Sequence, residues 1–296
     1  MNMKNQSKAY LFALLAVLLW ATVATAFKIS LGELNYIQVL FTANLTSLLI
    51  YFLMLVFQRK LHLVKPASAS EIGLSALQGF LNPFAYYLIL LKAYSLLPAQ
   101  VAQPVNFIWP VVLIILSAPL LKQPITLTAV LGLTVSLAGV FILATQGDLS
   151  TLRISEPRGV ALALSTSVIW SLYWIINLRD KRDDLIKLFT GFLFSMIYIL
   201  ILSSFTGNIP DLFSKSVVPA VYVGAFEMGI TFFVWLKALQ LSDSTGKIAN
   251  LIYITPFLSL VCIHLVLNEK LLYTSFIGLC VIIAGILIGR IKNERV

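Results

Sequence analysis

Glu227 is the carboxylate that the sequence sets deepest in an apolar run, within VYVGAFEMGITFFVW. A charge at membrane depth costs about 2.5–3.5 kcal/mol even on lenient insertion scales, so a lone acid there needs a partner. It can hold an amine or other cationic group, or take up a proton and couple solute movement to a gradient. The structural alternative puts Glu227 at the wetted end of its helix, beside a base. If the span opens at Val217, the acid lies about 15 Å along it, which favours a buried role.

Amide and aromatic residues recur at helical spacing elsewhere in the chain. Asn82 and Tyr86 stand one turn apart, Asn106, Trp109 and Pro110 share a face, and Asn250, Tyr253 and Pro256 follow at threes. Such faces inside apolar helices look toward a cavity or a partner helix. The candidate substrate-binding set is therefore Trp20, Asn82, Tyr86, Asn106, Trp109, Trp170, Tyr173, Glu227, Asn250 and Tyr253, with Glu227 also the candidate coupling residue. Pro110 and Pro256 are candidate hinges, because proline removes a helix donor. Lys28, Lys92 and Lys237 at helix ends read as snorkelling side chains or as anion gates at the mouths. His264 reads as a packing residue, and Cys262 and Cys280 as buried thiols with neither disulfide nor metal spacing. Without HExxH, GxSxG, a P-loop or CxxC, catalysis has no support and neither a metal nor a cofactor is expected.

The elements that carry these residues follow from composition. With 59% hydrophobic and 11% charged residues and a mean hydropathy of +0.95 over 296 residues, the chain exceeds what one soluble core can hide. About 20 apolar residues cross a hydrocarbon core of roughly 30 Å. That ruler marks ten spans, near 9–27, 36–57, 73–91, 98–120, 125–144, 159–178, 187–206, 217–240, 247–267 and 272–290. Barrel-type alternation is absent, so the spans are helices. Ala24-Thr25-Ala26 imitates a signal-peptide cleavage site. Leu15–Lys28 has a counterpart at Ser165–Leu178, however, which argues that the first span is retained.

A net charge of +9 in a soluble chain would point to nucleic acid. Here 15 of the 21 Lys and Arg fall on one side of the ten-span arrangement, as the positive-inside rule requires with both termini cytoplasmic. The expected partners are a small-molecule solute and the lipid bilayer, with no nucleic acid.

The chain also repeats itself. LKA at Leu91–Ala93 returns at Leu236–Ala238, Pro110 aligns with Pro256, Gly132 with Gly278, and Ala138-Gly139 with Ala284-Gly285. The offset, 145 or 146, puts Asn82 opposite Glu227. Five spans per half is odd, so the second half must enter the membrane in the opposite sense to the first. Inverted halves can exchange shapes and open one site to either side in turn. Glycines at sevens in the fifth and tenth spans allow close helix approach and would suit a homodimer seam.

LLW at Leu18–Trp20, VIW at Val168–Trp170, the two LKA pieces and the paired segments LTAVLGLTVSLAGVFIL and LYTSFIGLCVIIAGILI resemble the drug/metabolite transporter superfamily, EamA type. The resemblance covers nearly the whole chain. It implies an all-helical membrane protein of ten helices, with residues 1–146 and 158–296 as two inverted five-helix repeats. It also implies a secondary carrier in the cell membrane, typically an exporter of amino acids or related amphipathic metabolites. An antiporter of phosphorylated metabolites would need Lys or Arg inside the cavity, and the sequence sets almost none away from helix ends. An intramembrane enzyme would need several His, Asp or Glu at helical spacing. A non-transporting receptor stays open as an alternative, although nothing in an inverted repeat requires one.

Overall fold

The computed structural model describes residues 3–64, 68–121, 127–144, 156–242, 251–268 and 272–290, and every regular element among them is helical. In chain order these are α1 (Met3–Ala21), α2 (Val23–Glu33), α3 (Tyr36–Phe57), α4 (Ala69–Gly79), α5 (Tyr86–Leu96), α6 (Ala99–Asn106), α7 (Trp109–Leu121) and α8 (Leu127–Ala144). The second half gives α9 (Pro157–Arg179), α10 (Asp184–Thr206), α11 (Val218–Val223), α12 (Ile230–Leu241), α13 (Ile254–Leu267) and α14 (Tyr273–Arg290). Six stretches among the described residues are long and apolar enough to cross a bilayer: Asn5–Glu33, Tyr36–Phe57, Ala69–Leu96, Pro157–Arg179, Asp184–Thr206 and Lys215–Leu241. The expected span at 98–120 is instead broken between α6 and α7. Large apolar side chains such as Leu11, Leu49, Phe57, Phe205 and Leu265 lie exposed along the helices, a surface for which lipid is the matching solvent.

Local chemistry sets the helix ends. Asn35 accepts from the N–H groups of Ile37 and Gln38 while the Gln38 side chain accepts from the Asn35 N–H, a capping box that starts α3. Ser68 and Glu71 do the same for α4, and Asp183 caps α10 through the Leu185 N–H at 3.0 Å.

Two spans widen at matched places. Phe80–Ala85 separates α4 from α5, and Gly224–Gly229 separates α11 from α12, each as a π-type turn. Each begins beside a glycine that another helix approaches. A Cβ on Gly79 would stand 2.2 Å from the Gly191 carbonyl of α10, and one on Gly224 2.4 Å from the Ala43 carbonyl of α3. The wide turns therefore lean on α10 and α3 with no room for a side chain.

α8 and α14 pack through the glycine stripe. A Cβ on Gly139 would lie 2.7 Å from the Gly278 carbonyl, one on Gly285 2.5 Å from the Ser136 N–H, and Ser136 donates to the Ile282 carbonyl at 3.3 Å. The small-residue stripe, whose default reading is helix packing, packs within one chain. Cys280 differs from expectation: it is exposed on α14, whereas Cys262 is half-buried and both are free thiols. His264, read as a packing residue, is exposed on α13.

Overpacking a tight helix crossing costs typically 1–3 kcal/mol. Gly79→Val and Gly224→Val should each lower stability by about that much, read from thermal unfolding in detergent. Gly73→Ala, with nothing within 4 Å of its added carbon, should leave the midpoint unchanged or slightly raised.

Candidate functional site

An aromatic-walled cavity lies among α1, α2, α5, α6, α7, α9 and the wide turn before α12. Trp20, Phe27, Tyr86, Tyr94, Trp109 and Trp170 form its walls, and Gln103, Asn106 and Glu227 supply its polar groups. Trp170 is the hub. Its ring centroid stands 4.5 Å from Tyr86, 6.2 Å from both Trp20 and Trp109, 5.7 Å from Trp174 and 5.4 Å from Phe232. Trp235 joins through Trp20 at 5.4 Å, so all five tryptophans of the chain belong to one connected cluster.

Broken helices position the polar groups. In a continuous helix the residue 110 N–H would donate to the Asn106 carbonyl; Pro110 has none. The Ser167 hydroxyl of α9 donates to that carbonyl at 3.2 Å, and Ser171, one turn later, donates to the Trp109 carbonyl at 3.0 Å. The Asn106 side chain is then fixed from both ends: it accepts from the Tyr86 hydroxyl at 3.3 Å and donates to the Thr166 hydroxyl at 2.9 Å.

The wide turn that carries Glu227 is held in the same way from α3. Ser47 donates to the Gly224 carbonyl at 2.7 Å and Tyr51 to the Met228 carbonyl at 2.5 Å. The Thr231 hydroxyl donates to the Phe226 carbonyl. Widened turns leave carbonyls that need donors, and here hydroxyls provide them. Glu227 is 5% exposed. Its Oε1 accepts from the Tyr87 hydroxyl at 2.7 Å. Its Oε2 makes no hydrogen bond of ordinary geometry, the Trp20 indole being the neighbouring donor that bears on the carboxylate, and no Lys or Arg among the described residues forms an ion pair with it.

A second polar cluster lies at the opposite end of the α4–α5 rod, where α9 turns into α10. Asp180 takes a two-pronged contact from Arg182, with Nη2 at 2.6 Å and Nε at 3.0 Å. Arg182 also donates to Ser75 at 2.7 Å and Gln78 at 3.2 Å, and Gln78 donates back to Asp180 at 3.1 Å. Asp184 pairs with Lys187 at 3.0 Å and Lys237 at 2.9 Å, and Asp183 with Lys60 at 2.7 Å. This lattice ties α3, α4 and α12 to one loop. Lys237, read as a snorkelling group or anion gate, is held in an ion pair. Lys92 lies over the Tyr36 ring at 5.1 Å, and Lys28 donates to the Tyr94 carbonyl at 2.8 Å.

Residues 7–145 and 157–289 match the EamA-like transporter family. The chain belongs to that family. An uncharacterized transporter of Clostridium kluyveri is 27% identical over 97% of this chain and 94% of its own length. The aromatic amino acid exporter YddG of Ancylobacter novellus is 25% identical over 86% of this chain and 87% of its own. A solved crystal structure, 19% identical, superposes with a TM-score of 0.70 over 96% of both chains, which shows a shared fold. This chain is a membrane transporter of the EamA family.

Within this EamA-family fold, Trp20, Tyr86, Asn106, Trp109, Trp170 and Glu227 line the cavity together. Asn82 is buried in the first wide turn, away from the lining, and neither of its amide atoms has a partner. Tyr173 packs on Trp174 and Phe232 behind the wall. Asn250 and the Tyr253 side chain lie outside the described residues. Pro110 and Pro256 occupy the first turns of α7 and α13, the first after the break between α6 and α7 and the second after a 3-10 turn at Leu251–Tyr253; proline is tolerated there because those N–H groups need no helical partner. Gln103, one turn before Asn106, lines the cavity unforeseen; its i, i+3 spacing was the available signal.

Burial alone would raise the Asp180 carboxyl, but the hydrogen bonds and charge of Arg182, with Gln78, override it and hold Asp180 below the usual carboxylate range. A group depressed on folding stabilises above its unfolded value, about 3.9 for Asp, and loses that contribution as pH falls through the folded value. Asp180→Asn should therefore destabilise near neutral pH, and its deficit against wild type should shrink in acid. Melting midpoints taken across that range check this.

Proposed function

We propose that the chain is a secondary active transporter that exports small amphipathic metabolites, amino acids or related aromatic compounds among them, by alternating access across the cell membrane. The observation that carries this reading is Glu227, a buried carboxylate with one oxygen outside any hydrogen bond of ordinary geometry, in an aromatic-walled cavity. An acid so placed needs a cation or a proton, and exchange of one for the other couples solute movement to the gradient. The aromatic amino acid exporter among its relatives supports an aromatic solute for these walls.

The mechanical side of the proposal is a ten-helix arrangement of two inverted repeats, residues 1–146 and 158–296, with both termini cytoplasmic. It is supported by the matched wide turns, with Gly79 and Gly224 145 residues apart, each leaning on the second helix of the other half. In this orientation the cavity faces outward, and the Asp180–Arg182 and Asp184–Lys237 lattice closes the cytoplasmic side. Inward opening requires that lattice to part, with bending at the helix break before Pro110 and at the start of α13 around Pro256. Exchange of phosphorylated solutes finds no support, since no Lys or Arg is among the described lining residues.

Uptake and counterflow in proteoliposomes, with and without an imposed pH gradient, test the reading. Wild-type protein should move an aromatic amino acid or amine saturably and faster with the gradient. Glu227→Gln should lose the gradient's acceleration and at least roughly tenfold in rate, a loss of about 1.4 kcal/mol. Gradient-driven flux that is intact in Glu227→Gln would remove that residue from coupling.

A further inference from the structure

We infer that the group recognised in this cavity is an ammonium with no carboxylate beside it, so that the preferred solutes are aromatic amines rather than zwitterionic amino acids. This rests on the transporter reading above and narrows its substrate class. Two buried side chains of the lining carry acceptor oxygens that no protein donor of ordinary geometry meets, Glu227 at Oε2 and Gln103 at Oε1, both sealed from water in this conformation. Gln103 is 3% exposed and Glu227 5%. An alkylammonium has three donors and no acceptor, which is the complement of that pair. Trp20, Tyr86 and Trp170 line the same space, and tryptophan is the best partner for a desolvated cation.

A carboxylate has no such provision. Once an ammonium offsets Glu227, a zwitterion leaves one anionic group unbalanced, and the described lining holds no Lys or Arg to meet it. Of the neutral donors, the Tyr86 hydroxyl is committed to Asn106, the Tyr87 hydroxyl to Glu227 itself and one Asn106 amide hydrogen to Thr166, which leaves the Gln103 amide among the lining groups. The Trp20 indole N–H already bears on Glu227 and that of Trp170 has no partner, but a few neutral donors do not replace the charged fork that holds a buried carboxylate elsewhere. Carboxylates in one low-dielectric cavity also repel each other. The chemistry of the wall therefore favours a flat apolar ring carrying a primary amine.

Counterflow in proteoliposomes with four ligands of one ring tests this: phenethylamine, phenylalanine methyl ester, phenylalanine and 3-phenylpropionate. The expected order puts phenethylamine and the ester at half-saturating concentrations at least ~10-fold below phenylalanine, about 1.4 kcal/mol, with 3-phenylpropionate inert. Gln103→Leu should raise the half-saturating concentration of phenethylamine and leave the maximal rate nearly unchanged. Because the ligand panel uses the wild-type protein, it stands even if the variant fails to fold. Phenylalanine equal to or better than phenethylamine would overturn the inference and leave the carrier standing. Flux of none of the four would overturn the carrier reading for aromatic solutes, and this inference with it.

Discussion

Every helix interruption in this chain must be repaired from within, because a bilayer core offers no water to an unsatisfied carbonyl. The site depends on how that is done. Pro110 removes the donor for the Asn106 carbonyl and Ser167 replaces it, while Ser171 bonds the Trp109 carbonyl beside the break. The wide turn at Gly224–Gly229 is held by Ser47 and Tyr51. In both cases two hydroxyl-bearing residues one turn apart on a continuous helix secure a discontinuous one. The continuous helices α3 and α9 act as the frame. The interrupted segments carry Glu227 and Asn106, and the repair fixes where those side chains point.

Around that frame the tryptophans do two things at once. As packing they fill the middle of the protein, with Trp170 touching rings from α1, α5, α7 and the α12 helix. As a wall, three of them, Trp20, Trp109 and Trp170, line the space beside Glu227. At the other end of the molecule, charge performs the task that aromatics perform at the cavity. Asp180 and Asp184 draw arginine, lysine and amide groups from three helices onto one loop. In the proposed cycle, a lattice of charge-assisted bonds suits a closure that must break and re-form, because water can solvate its parts when they separate.

Much of the fold was legible because membrane helices advertise themselves by length and apolarity, and the LKA and proline repeats gave the register between halves. Depth within an apolar run led to Glu227, the register set Asn82 opposite it, and the spacing of Asn106 and Trp109 led to two residues that line the cavity. Other features were hidden because they depend on three-dimensional approach. Nothing local to Lys237 announces that Asp184 lies 2.9 Å away, and the glycines of α8 and α14 look the same in sequence whether their partner is another chain or each other. Asn82 and Tyr173 show the limit of helical-face reasoning. The face was right in being buried, but burial against neighbouring helices and burial against a cavity have the same pattern in sequence. Gln103 escaped notice because it stands near a helix start, where a polar residue usually means a wet end.

The central claim is that a solute is held among the tryptophans beside Glu227. Because all five tryptophans belong to that cluster, their intrinsic fluorescence is a direct reporter. We would titrate the purified wild-type protein with phenylalanine and with phenethylamine, exciting tryptophan selectively, and measure flux of the same two compounds in parallel. The account predicts a saturable change in emission for whichever compound is transported, at concentrations that match half-maximal flux. Flux without any change in tryptophan emission would place the solute elsewhere and contradict it.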